Sequence, residues 1–464
     1  MKTRISAGSV RESQPWILAA AVLGSTMAFL DGSVVNVALP VIERSFHAPL
    51  SRIQWVVESY LLFLSSLLLL GGSLGDRFGR RRVFVAGTAL FGLASAACGA
   101  APTLGWLIAA RAVQGVGGAL LVPGSLALIT ASFPPGERGA AIGTWSGATA
   151  LTTALGPLAG GFLVDAVSWR AVFYLNLPLA AAVIAIALMR VPESRDPSPR
   201  PLDPAGAALA IAALAGIVLG LTEASRLGFA SVGTTAPLAG GVLLGVLFLA
   251  QEARSRHPLL PLALFRSRDF SATNAVTLFL YGGLGAAFFF LPFELIQARG
   301  YSPTLAGAAM LPFIAVMSAL SRFTGRLGDR LGPRLPLTAG PLASAAGLAL
   351  FFVLPASGSY WKTVFPPILV VGLGMSLAVP PLTTTVMSSE KEKFAGIVSA
   401  FNNSISRLGG LLAIAGLSIV VSTASPAFSK PGSASFRTAM GGSAALALTA
   451  AAIAALSLRP GKKA

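Results

Sequence analysis

The stretch Gly72-Ser73-Leu74-Gly75-Asp76-Arg77-Phe78-Gly79-Arg80-Arg81-Arg82 has a second copy further along the chain. A shift of 253 positions gives Gly325-Arg326-Leu327-Gly328-Asp329-Arg330-Leu331-Gly332-Pro333-Arg334. Asp76 then falls on Asp329, Arg77 on Arg330, Gly79 on Gly332, Arg81 on Arg334 and Gly87 on Gly340. Each copy reads as a short basic loop, rich in glycine, between two apolar runs. A loop repeated at matching places in two halves of an apolar chain indicates parallel structural repeats, each a helical bundle. Glycine-rich loops also cradle phosphates, but here no strand precedes the loop and no P-loop Lys-Ser/Thr pair follows it.

Composition sets the solvent. Of 464 residues, 54% are hydrophobic and only 11% charged, against about a quarter charged in a typical soluble domain. A soluble fold of this length cannot hide so much apolar surface, so the bilayer is the expected partner. The 34 Lys and Arg outnumber 17 Asp and Glu, yet they sit in short loops between apolar runs. That placement argues against nucleic acid. The one cysteine, Cys98, lies inside an apolar run, and His47 and His257 fall in separate loops. Neither a disulfide, a metal site nor a cofactor is expected. A cleavable leader is not expected either, since the first apolar run is full length.

Fourteen apolar runs are long enough to span a membrane: 16–39, 54–74, 83–101, 104–130, 139–163, 170–190, 204–222, 234–251, 271–297, 304–321, 335–355, 363–387, 395–421 and 438–457. With the N-terminus inside, the inner loops and ends hold 24 Lys and Arg and the outer loops eight. This bias places both termini in the cytoplasm. The first basic loop follows the second run and its copy follows the tenth. The expected fold is therefore all-α and integral to the membrane, with two pseudo-symmetric six-helix bundles and an inserted two-helix hairpin. The bundles are residues 1–190 and 253–464, the hairpin 204–252, and the proline-rich stretch 191–203 a cytoplasmic linker.

At this point the chain resembles the major facilitator superfamily, in its fourteen-helix drug:proton antiporter branch. Leu30-Asp31-Gly32-Ser33-Val34-Val35-Asn36-Val37-Ala38-Leu39-Pro40 resembles the first-helix motif of that branch, with Ser33 where threonine is usual. Gly72 to Arg82 resembles the loop motif of the superfamily, and Arg111-Ala112-Val113-Gln114-Gly115-Val116-Gly117-Gly118-Ala119 its fourth-helix motif. Gly143, Gly156-Pro157 and Gly160-Gly161 resemble the fifth-helix antiporter motif, with Thr152 where that pattern has glycine. The resemblance implies a multidrug-efflux protein of the cell membrane that exchanges an amphipathic small molecule for protons.

Residue chemistry adds roles. Asp31 lies roughly 13 Å deep at 1.5 Å per residue, and Arg111 roughly 10 Å deep in the same leaflet. A carboxylate so placed must be protonated, paired or facing water, and intramembrane acids are functional by default. The expectation is proton coupling by Asp31, biased by the permanently charged Arg111; the alternatives are a structural carboxylate bonding to neighbouring helices and an arginine satisfied by backbone carbonyls near the following glycines. Gly156 and Pro157 would bend helix five and Gly160 and Gly161 allow close backbone approach, sealing one side of a cavity. Asp76, Arg77, Arg81, Asp329 and Arg330 would form a cytoplasmic latch between bundles, the alternative being a basic anchor. Glu58, Glu294 and Glu223 lie near outer helix ends and read as interfacial or vestibule residues; Glu58 or Glu294 could instead attract cations. Arg407, near the midplane and with no acid expected at its depth, could pair across the cavity or meet an anionic substrate. Trp145 and Phe288-Phe289-Phe290 could line an apolar cavity or simply pack.

The chain lacks His-Glu-x-x-His, Gly-x-Ser-x-Gly and an ATP-binding loop, so an enzyme or ATP-driven pump is not expected. A sensor or assembly partner on the same fold is the rival. Neither end extends far beyond its outermost run, which favours a monomeric transporter of small molecules and protons.

Overall fold

A computed structural model describes residues 7–196, 202–256, 258–389, 395–424 and 432–459. Fourteen of its helices are long and apolar enough to cross a membrane. We number them α1 (Ala7–Phe46), α2 (Trp55–Phe78), α3 (Arg80–Gly99), α4 (Leu104–Ser132), α5 (Pro135–Ala166), α6 (Asn176–Arg190), α7 (Pro204–Leu227) and α8 (Val232–Arg254). The series continues with α9 (Arg268–Phe293), α10 (Leu311–Leu331), α11 (Arg334–Val353), α12 (Phe365–Ser388), α13 (Ala395–Ala424) and α14 (Ala434–Ser457). In hydrocarbon every backbone polar group must be satisfied within its own segment, which leaves the helix as the available form. Starts are marked by side chains that accept from the first free N–H groups. Thr103 caps α4, Asp203 α7, Ser231 α8, Ser267 α9 and Ser433 α14.

The repeated motif shows what its glycines do. Gly79 ends α2 at φ 112° and Gly332 ends α10 at φ 74°, a region of backbone space that glycine enters without steric cost. Gly87 and Gly340 also act alike. A Cβ on Gly87 would lie 2.7 Å from Leu120 of α4, and one on Gly340 would lie 2.7 Å from the Gly374 carbonyl of α12. Each glycine thus allows a close crossing of two helices, in the same place in each half. The whole packing scheme repeats: α2–α4, α3–α4, α1–α5, α1–α6 and α3–α6 recur as α10–α12, α11–α12, α9–α13, α9–α14 and α11–α14. These are two pseudo-symmetric six-helix bundles.

Two features differ from the sequence expectation. The basic loop is barely a loop: Asp76 and Arg77 belong to the last turn of α2, and Arg80 to Arg82 open α3. Polar residues outside the apolar layer keep helical geometry, so the helices outrun the apolar runs. Two of those runs are also broken. The sixth comprises Ala171–Tyr174 and α6, the tenth Pro303–Ala308 and α10.

The hairpin is not peripheral to one bundle. α7 packs on α8 and also on α2 of the first half and α13 of the second. It lies over the seam between bundles. Direct cross-seam contacts set α2 against α13, α5 against Pro303–Ala308 and α10, and α1 against α9.

Candidate functional site

Four helices of the first half aim polar side chains at one buried point. Asp31 on α1 and Arg111 on α4 are each 1% exposed, and Arg111 Nη1 lies 2.5 Å from Asp31 Oδ2. Gln114, one turn beyond Arg111, donates to Asp31 Oδ1 at 2.9 Å, and Asn176 at the start of α6 donates to the same oxygen at 3.1 Å. Ser95 on α3 accepts from Gln114 and Asn176 and donates to the Phe173 carbonyl. Arg111 has further partners: Nε donates to the Val56 carbonyl at 2.9 Å and Nη1 to Gln114 Oε1 at 2.7 Å. Its guanidinium carbon stands 4.2 Å from the centre of the Tyr60 ring, and Tyr60 Oη donates to the Ala28 carbonyl of α1.

A buried ion pair survives only when its remaining lone pairs and protons are satisfied, and removing one partner costs roughly 3–5 kcal/mol. Asp31 and Arg111 meet that condition through four helices. Gln114 could have been found in the sequence, since the i, i+3 spacing places it on the Arg111 face. Asn176 and Ser95 gave no such signal, because their role comes from how α3 and α6 pack against α1.

At the end of the molecule away from the basic motif, α5 seals against the other half. A Cβ on Gly156 would lie 2.9 Å from Ser33 Cβ, and one on Gly160 2.8 Å from Val34 Cγ1. Both glycines therefore seat α5 on α1, near Asp31. Gly161 faces across the seam: a Cβ there would lie 2.6 Å from the Pro303 carbonyl carbon and 2.8 Å from Thr304 Cα. Gly307 faces back, 2.6 Å from the carbonyl carbon of Pro157 by the same construction. Asp165 accepts from the Thr304 N–H at 2.7 Å and from the Thr304 hydroxyl, and Gln297 donates to Glu43. Gly143 has no part in these contacts, since a Cβ there meets nothing within 4 Å. Thr152, placed where the resembled pattern has glycine, reaches Thr26 of α1 at 3.2 Å.

At the basic end the acid finds a partner within its own motif. Asp76 pairs with Arg80 at 2.9 Å, while Arg77 lies 5.8 Å from the ring centre of its neighbour Phe78. The i, i+4 spacing puts Arg80, not Arg77, on the Asp76 face. Arg81 turns to the linker, donating to the Val191 carbonyl at 3.0 Å. Glu193, unflagged by the sequence, caps α3 by accepting from the Arg81 and Arg82 N–H groups at 3.1 and 3.2 Å. Asp329 and Arg330 lie on α10 with side chains outside the described residues, as does His257.

The expected interfacial acids need correcting. Glu58 and Glu294 are both 0% exposed. Distance from a helix end does not capture what covers it. Thr222 of α7 lies over Glu58 and donates to Oε2 at 3.2 Å, leaving Oε1 without a partner. Glu294 sits on a single π-helical turn, Glu294–Ala298, paired with Arg299 at 3.1 Å and accepting from the Gly432 N–H at 2.8 Å. Glu223 alone stays half-exposed, paired with Arg226 at 2.7 Å, beside a cavity of about 550 Å³ that also touches Arg52, Trp55 and Thr222. Trp145 is not a free cavity wall: its Nε1 donates to Ser25 at 2.9 Å and its ring meets Phe29 edge-on. Phe289 and Phe290 are buried packing residues, and Phe288 meets Phe313 edge-on at 5.1 Å. Among the described residues Arg407 finds no acid across the seam; it faces the Phe29 ring at 5.1 Å.

Comparison with known proteins fits this geometry. The chain is 34% identical over 412 residues to the tetracenomycin C resistance and export protein of Streptomyces glaucescens, covering 88% of this chain and 76% of that one. It is 37% identical over 419 residues to the puromycin resistance protein pur8 of Streptomyces alboniger, covering 89% and 83%. It is 35% identical over 413 residues to the multidrug resistance protein Stp of Mycobacterium tuberculosis, covering 89% and 76%. Among solved structures, the peptide transporter POT in complex with sulfate superposes with a TM-score of 0.69 at 19% identity, over 97% and 98% of the two chains. A bacterial homologue of the lysosomal transporter Spinster, inward-facing and unoccupied, gives 0.66 at 18% identity over 96% and 97%. Residues 21–414 match the profile of the Major Facilitator Superfamily. Because that match runs from α1 through most of α13, across both bundles, the chain belongs to the Major Facilitator Superfamily.

Proposed function

We propose that the chain is a proton-coupled secondary transporter that exports amphipathic small molecules by alternating access. Residues 1–190 and 253–464 rock as two bundles about a central site, with 204–252 as an inserted hairpin and 191–203 as the linker. It works as a monomer in the cell membrane, both termini in the cytoplasm, because the basic residues gather at that end. The α5 seal then lies outside, and the site opens inward. Export of drug-like compounds is supported by the names of the relatives, all of which are resistance or export proteins.

The observation that carries the reading is the buried Asp31–Arg111 pair and its place on α1. Asp31 stands two residues before Ser33 and three before Val34, the surfaces on which Gly156 and Gly160 rest. A proton arriving at Asp31 removes its charge. The neutral acid can still accept from Arg111, but the counter-charge is gone and Arg111 is left with neutral partners, the Gln114 oxygen and the Val56 carbonyl among them. The first half becomes a net cation in a low-dielectric setting, a change that favours a different arrangement of α1. Moving α1 disturbs the α5 surface that continues into the Gly161–Pro303 seal. Proton binding and opening on the outer side are thereby tied together through one helix.

The test is transport in reconstituted vesicles, using a panel of lipophilic dyes and biocides with and without an imposed pH gradient. Gradient-dependent dye movement accompanied by opposite proton flow is expected. Dye movement that ignores the gradient, or none at all, sinks the proposal.

A further inference from the structure

The second half brings Arg407 to the seam, and among the described residues no anion meets it. Arg407 on α13 places its guanidinium 5.1 Å from the ring centre of Phe29 on α1. Its Nε is buried and has no hydrogen-bond partner, and among the described residues no carboxylate forms an ion pair with it. The acids on the facing helices are turned to other partners. Asp31 on α1 is held by Arg111, Gln114 and Asn176, and Glu58 on α2 lies under α7, with one of its two oxygens bonded to Thr222. The Asp31–Arg111 pair is neutral as a unit, so it offers Arg407 no counter-charge. An aromatic face returns only about 0.5–2 kcal/mol to a cation, and Arg407 is only partly buried, so the open part of its guanidinium is left for water or a ligand. A purely structural arginine would be paired or bonded to carbonyls, as Arg111 is. Among the described residues Arg407 makes neither kind of bond.

The geometry points to Arg407 as the substrate's anion anchor: this transporter handles apolar, ring-containing organic acids whose carboxylate or ionised phenol meets the guanidinium. The substrate's ring would then lie against Phe29, which Trp145 meets edge-on at 6.5 Å. This names a substrate class for the site and rests on the transport reading above. It also implies selection against permanent cations, which the Arg407 charge repels. Arginine suits the task because its planar fork matches a carboxylate with two parallel bonds and stays charged at any working pH.

The experiment uses the purified full chain and two fluorescent probes that differ only in charge, dansylglycine and its carboxamide. At neutral pH wild type should bind the acid at least about tenfold more tightly than the amide, as for one charge-assisted hydrogen bond. Arg407→Gln should erase that preference, and Arg407→Lys should keep part of it, since lysine retains the charge without the fork. Wild type that binds both probes equally overturns the inference, whether or not any variant folds. So does an Arg407→Gln protein that keeps the preference. The two proposals fail separately. Acid preference without gradient-driven transport leaves the anchor and removes the exporter; gradient-driven dye export without acid preference does the reverse.

Discussion

Gly161→Ala adds one methyl group at the tightest crossing of the seam. The new Cβ would lie 2.6 Å from the Pro303 carbonyl carbon and 2.8 Å from Thr304 Cα. Both are backbone atoms, and the segment carrying them is held by Asp165, which accepts from the Thr304 N–H at 2.7 Å. Nothing nearby can turn aside as a flexible side chain could. Overpacking of this kind costs roughly 1–3 kcal/mol, and only in the sealed state, since the contact is absent once the seal parts. The helical preference of alanine over glycine acts in both states and cancels. The ratio of open to sealed molecules should therefore rise about 5- to 150-fold. Cys98 is the one cysteine and is buried, so its replacement gives a clean background for Ala306→Cys, a position 2% exposed within the seal. The rate of labelling by a membrane-impermeant maleimide added outside reads the open population. Gly143→Ala is the control, since its Cβ would meet nothing within 4 Å. Equal labelling in Gly161→Ala and the control would refute the assignment of the seal to this crossing.

Other outcomes follow from the same contacts. Asp31→Asn should abolish export driven by a pH gradient and lower thermal stability by roughly 3–5 kcal/mol, because Arg111 loses its counter-charge; Asp31→Asn with Arg111→Gln should recover stability but not export, and recovered export would exclude Asp31 as the proton site. Glu193→Ala should cost about 0.5–2 kcal/mol through the uncapped start of α3, measured by thermal unfolding, whereas Glu193→Asp should cost less. Asp76→Asn should reduce transport several-fold at equal membrane abundance, and unchanged transport would make the motif an anchor. Reporters fused near Arg195 and Arg266 should read cytoplasmic and one at Gly228 external; a cytoplasmic signal at Gly228 would leave the chain with twelve spans.

Much of the fold is legible in the linear chain because its causes are local. A run of about twenty apolar residues is sufficient reason for a spanning helix, and each of the fourteen runs contains one. The repeat is equally local: glycines at 79 and 332 end their helices at positive φ, and glycines at 87 and 340 admit the same helix crossing. Asp31 and Arg111 stand out as charges in apolar sequence, which is expensive enough in a membrane to signal a purpose. What only the tertiary structure decided is who meets whom. Asn176 and Ser95 are ordinary polar residues until α6 and α3 carry them to Asp31. Depth along a helix suggested an exposed Glu58, but α7, a segment over 160 residues away in the chain, covers it through Thr222. Depth also left Arg407 open to a partner across the seam, and the packing of α13 against the first half put Phe29 there instead of an acid. Hydropathy is a property of each segment by itself and so survives in the sequence; the pairing of polar side chains depends on rotations and offsets between helices, which no single segment encodes.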